Sequence, residues 1–106
     1  MISPQVATIS RNIADRLALT CDLLVDRGNR VAREFGLVFT LPDDLRQLYQ
    51  KFGIDLVTAN GDDSWTLPMP ARFVIDRGGT IRAADADPDY THRPEPAQTV
   101  EVLRSL

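Results

Sequence analysis

The chain has 106 residues, 43% of them hydrophobic and 25% charged, with a formal net charge of -3. That is the balance of one ordinary globular domain, since smaller pieces would not bury a core. The acidic isoelectric point, near 5.0, argues against general binding of nucleic acid, which favours a basic surface. No apolar run approaches the roughly 20 residues of a membrane span, and Pro4, Ser10 and Arg11 interrupt any leader-like stretch after Met1. Cys21 is the only cysteine, so no intramolecular disulfide forms and a reducing cytoplasm is the expected compartment.

Ser3-Pro4 reads as a helix start, a hydroxyl cap followed by a proline whose missing N–H costs nothing. Val6, Ile9, Ile13 and Leu17 then recur at helical spacing as one apolar stripe. Cys21 to Val25 reads as a short buried strand, ended by the turn Asp26-Arg27-Gly28-Asn29. Asn29 is placed to cap a short helix to Phe35, with Val31, Ala32 and Phe35 inward and Gly36 closing it. A third helix is expected from Pro42. Asp43 and Asp44 suit its N-terminal end, Leu45, Leu48, Tyr49 and Phe52 form its apolar face, and Gly53 stops it.

Asp55 to Pro68 reads as the longest irregular segment. Arg72–Ile75 and Thr80–Ala84 flank Asp76-Arg77-Gly78-Gly79 and predict a β-hairpin. A proline-rich linker, Pro88 to Pro96, leads to a last helix carrying Val100, Leu103 and Leu106. The expected order is helix, strand, helix, helix, hairpin, helix.

Two segments resemble peroxiredoxin-like proteins of the alkyl hydroperoxide reductase/thiol-specific antioxidant family. The first is Leu23-Leu24-Val25-Asp26 with Gly28 to Leu37; the second is Pro70-Ala71-Arg72-Phe73-Val74-Ile75-Asp76 with Gly79-Thr80-Ile81-Arg82. The stretch Leu41 to Trp65 and the segment Asp89-Tyr90-Thr91 are similar to a bacterial branch of the same family. The resemblance implies a thioredoxin-like α/β fold over residues 1–106, a three-layer domain ending in a β-hairpin and helix. It also implies an N-terminally incomplete domain. The family's central strand and cysteine-bearing helix would precede Ile2-Ser3-Pro4-Gln5, which itself matches the end of the following strand. Half-sheets with exposed inner edges would result, and such edges invite pairing, so a homodimer is expected. A longer protein with an upstream segment is the other expectation.

In complete relatives a cysteine thiolate reduces hydroperoxides and a thiol reductant recycles it. No cofactor or metal is implied. Cys21 does not fall where the family has its reactive cysteine, and Asp22 beside it would raise a thiol's pKa. It is therefore expected as a small buried hydrophobe, with a one-cysteine redox thiol as the alternative reading. By resemblance Trp65, Met69, Pro70 and Arg72 lie at the substrate cleft, and Pro70 is expected to be cis. Arg72 is offset by two residues from the family's arginine. Trp65 also reads plainly as a cover for its loop. His92, the only histidine, sits in a polar linker and is expected in solvent. Asp85 to Asp89 begins like a calcium loop, but Tyr90 stands where glycine is needed and Pro96 where glutamate is needed. Two functions follow: a peroxiredoxin-like oxidoreductase lineage inactive as this chain, or a noncatalytic dimerisation or binding module on the same scaffold.

Overall fold

A computed structural model describes all residues, Met1–Leu106. The protein is α/β, with helices and three two-stranded sheets, and separates into two compact units, Met1–Pro68 and Met69–Leu106.

The first unit begins with strand β1 (Ile2–Ser3), helix α1 (Ala7–Leu17) and strand β2 (Leu24–Val25). The strands pair in parallel, Ile2 with Leu24 and Ser3 with Val25. Leu24 N–H donates to the Met1 carbonyl and Asp26 N–H to the Ser3 carbonyl, both at 2.8 Å. Parallel neighbours need a crossover, and α1 supplies it. This corrects the helix start expected at Ser3-Pro4. Ladder pairing keeps Ser3 extended, its hydroxyl accepts from Gln5 N–H, and the helix begins only at Ala7. The strand expected over Cys21–Val25 shrinks to its last two residues, and both are exposed.

A turn, Arg27–Asn29, with Gly28 and Asn29 in left-handed backbone, leads into α2 (Arg30–Glu34). Asn29 does not cap that helix with its side chain, as expected from sequence. The Asp26 carboxylate does so, accepting from Val31 N–H at 2.9 Å and Ala32 N–H at 2.8 Å. Asn29 instead turns inward through a left-handed backbone, φ 57°, and is 1% exposed. Its amide donates to the Thr66 hydroxyl at 3.0 Å and the Thr66 carbonyl at 3.3 Å. Val31 and Phe35, expected inward, are substantially exposed, because α2 has too little structure over it to cover both.

Strand β3 (Val38–Thr40) precedes α3 (Asp43–Lys51) and α4 (Leu56–Asn60), and β4 (Thr66–Pro68) closes the unit. β3 and β4 pair antiparallel, Phe39 opposite Leu67. Order thus replaces the irregular Asp55–Pro68 segment. Asp55 caps α4 by accepting from Thr58 N–H at 3.0 Å and the Thr58 hydroxyl at 2.6 Å. Gly61 ends α4 at φ +67°, where a Cβ would stand 2.9 Å from a Val6 methyl.

In the second unit β5 (Ala71–Ile75) and β6 (Ile81–Ala86) form the expected hairpin, followed by α5 (Pro96–Arg104) with Pro96 at its first turn. Asp76 organises the turn. Its carboxylate accepts from Gly78 N–H and Thr80 N–H, each at 2.9 Å, and from Arg82 Nε at 2.7 Å. The register slips between Val74 and Ile75, which leaves Arg82 as the extra residue of a bulge. α5 packs on β5. Each unit buries a single large apolar side chain, Leu41 at 2% exposure in the first and Val74 at 5% in the second.

Candidate functional site

The clearest concavity lies in the second unit, a pocket of about 620 Å³ lined by Pro70, Arg72, Asp85, His92, Arg93 and Gln98 among others. β5 contributes Arg72 and β6 contributes Asp85, directly opposite each other in the ladder. The Arg72 guanidinium lies 3.7 Å from the Asp85 carboxylate and donates to the Pro94 carbonyl at 3.3 Å. The segment between β6 and α5 forms the rim. There the His92 ring stands between two carboxylates, Nδ1 3.3 Å from Asp87 and Nε2 3.6 Å from Asp89. Arg93 Nε donates to the Tyr90 carbonyl at 2.9 Å.

Arg72 is paired with Asp85, and His92 lies against the Asp87 and Asp89 carboxylates. Asp89 is held below the usual aspartate range, chiefly by the Thr91 hydroxyl and then by Thr91 N–H. The lining contains no thiol, since the second unit has no cysteine. No cluster of three or more His, Cys, Asp or Glu side chains is placed to hold a metal ion.

The residues assigned to a substrate cleft by resemblance fare differently. Pro70 and Arg72 line the pocket; Met69 is half-buried beside them in the chain. The Met69–Pro70 bond is trans, as are all peptide bonds here, which corrects the cis proline expected. Trans is preferred by about 0.5–1 kcal/mol before proline, and both residues are only half-buried, so no tight enclosure selects the minor isomer. Arg72, expected at the cleft but two residues away from the family's arginine position, has Asp85 and the Pro94 carbonyl as its partners.

Trp65 belongs to the first unit and behaves as a loop cover. Its carbonyl accepts from Leu41 N–H at 2.9 Å, and the Arg46 guanidinium sits 5.7 Å from the ring centroid, within cation–π range. Arg46 is fixed there by donating Nε to the Leu41 carbonyl at 3.0 Å. Trp65 holds a left-handed backbone, φ 54°, a conformation that residues with a Cβ rarely adopt.

Cys21 is exposed, which corrects the buried residue expected. The strand it was assigned to starts three residues later, at Leu24, so nothing folds over the thiol. It does not stand at a helix N-terminus.

Sequence reading missed the pocket residues Asp85, Arg93 and Gln98. Asp85 was legible in principle, because hairpin register places it across from Arg72. No protein-family model, curated protein or solved structure matches this chain. No helix is long and apolar enough to cross a membrane.

Proposed function

We propose that this chain is a peroxiredoxin-like member of the thioredoxin-fold lineage that carries out no peroxidase chemistry by itself. The observation that carries this reading is the order and pairing of its elements. A parallel strand–helix–strand unit, β1-α1-β2, is followed later in the chain by an antiparallel hairpin and a terminal helix, the closing sequence of thioredoxin-type domains. Complete relatives, by resemblance, use a thiolate to reduce hydroperoxides. Here the single thiol, Cys21, lies open to solvent and away from any helix N-terminus. Arg72 is committed to Asp85 and Pro94. Activation of such a thiolate needs a positioned cation or helix dipole.

Coupled peroxide turnover tests this. With hydrogen peroxide and excess dithiothreitol, the chain is expected to match both buffer and Cys21→Ser. Turnover above buffer that disappears in Cys21→Ser would overturn the inactive reading and make this a one-cysteine enzyme.

A second reading is a noncatalytic dimerisation or binding module. It is favoured by the poverty of buried apolar side chains and by the three separate two-stranded sheets, each with outer edges free of a further strand. Such edges and apolar faces mark interaction surfaces. Its homodimer has the chain itself as partner, with neither nucleic acid nor membrane required.

A further inference from the structure

The outer face of α3 is where a partner is best specified. Leu45, Leu48 and Phe52 stand at i, i+3 and i+7, one ridge along a helix. They are exposed by 39%, 41% and 68%. Arg46 and Tyr49, half-buried, run along the flank beside Leu45. The ridge is therefore apolar and uncovered.

Charge beside the ridge then selects the occupant. Asp44 and Lys51 are seven residues apart, nearly two full turns, and so flank the ridge on one and the same side. The acidic residue lies at the helix N-terminus and the basic one at its C-terminus. Lys51 makes no ion pair within the chain. Such an arrangement is complementary to itself when reversed. A second α3 laid antiparallel sets Leu48 near Leu48, Leu45 near Phe52, and Asp44 near Lys51 twice over. In a parallel pair the same flank of each copy lies on opposite sides of the seam, so Asp44 and Lys51 would not meet their counterparts. Two-fold symmetry produces exactly matched surfaces of this kind from one patch.

We propose that α3 is an isologous interface, pairing antiparallel with α3 of a second copy of this chain. This rests on the binding-module reading and deepens it by naming the surface. Three side chains make a small patch beside the roughly 800 Å² per partner of a standard interface, so the dimer is expected to be weak and concentration-dependent.

Sedimentation velocity over a dilution series, with the full chain, tests the pairing. Wild type is expected to shift from monomer to dimer as concentration rises. Asp44→Lys and Lys51→Asp each place like charges at both contacts and are expected to weaken association about tenfold. Mixing the two variants in equal amounts makes both contacts opposite in sign again, and is expected to restore wild-type association as a heterodimer. Circular dichroism melts of each variant check that α3 remains folded, and the mixed sample reports on pairing even where a single variant is less stable. Dimerisation unchanged in Asp44→Lys, or a mixture that fails to recover, would overturn α3 pairing while leaving dimerisation through sheet edges standing. A monomer at every concentration would overturn both.

Discussion

Arg72 and Asp85 face each other across the β5–β6 ladder, guanidinium to carboxylate at 3.7 Å. The same guanidinium reaches the Pro94 carbonyl, so one side chain ties the hairpin to the segment that leads into α5. This is a structural use of Arg72.

Arg72→Ala is expected to destabilise the protein by about 1 kcal/mol, since the pair is partly exposed and its attraction is screened by solvent. A urea double-mutant cycle with Asp85→Ala should give a coupling energy of under about 1 kcal/mol. Pocket residues elsewhere should leave that coupling unchanged.

Asn29 is the more costly position. Asn29→Ala loses both bonds to Thr66 and forces a Cβ-bearing, poorly tolerant residue into φ 57°. A loss of about 2–3 kcal/mol is expected by urea unfolding. Asn29→Gly should recover the backbone part alone. Asn29→Asp should be worse than glycine, because a carboxylate would face the Thr66 carbonyl where an amide donated.

Gly61→Ala places a Cβ against Val6 in a left-handed conformation. A drop of about 1–2 kcal/mol is expected, read as a lower thermal midpoint. Gly36→Ala has the same backbone strain but open space around it, and should cost less.

Acid sensitivity of the hairpin follows from Asp76. Its pKa lies below the ordinary aspartate value, held down first by Thr80 N–H, then by Arg82 and the Gly78 and Gly79 N–H groups. A carboxylate depressed on folding contributes stability above its unfolded pKa and loses it as pH falls through the folded value. The wild-type hairpin should therefore weaken only below about pH 4. Asp76→Asn should remove that acid-dependent component, seen as a flatter melting-temperature profile between neutral and acid pH.

Local chemistry was readable from the chain, whereas pairing between distant segments was not. Asp76-Arg77-Gly78-Gly79 announces its turn, because its hydrogen bonds close within a few residues. The helix after Pro42 and the helix after Glu95 begin close to where their prolines indicate. By contrast β3 and β4 have three residues each and lie 25 or more residues apart in sequence, too short to show alternation and dependent on register. Ser3 misled for a related reason: its local capping pattern was outweighed by a parallel ladder to Val25. Asp26 took the capping role assigned to Asn29, because Asn29 was drawn inward by Thr66, a contact 37 residues away. Within the candidate site Arg72 was legible and its satisfaction by Asp85 and Pro94 was not, since that depends on the hairpin and the following segment closing together.

The scaffold reading depends most directly on the parallel pairing of β1 with β2 around α1. Nuclear Overhauser contacts on isotope-labelled protein measure it. Amide-to-α-proton contacts from Leu24 to residues 1–2 and from Asp26 to Ser3 are expected, together with antiparallel contacts between Phe73 and Ala84. Antiparallel contacts between the Ile2 and Leu24 segments, or none there while the hairpin contacts are present, would contradict the thioredoxin-type assignment.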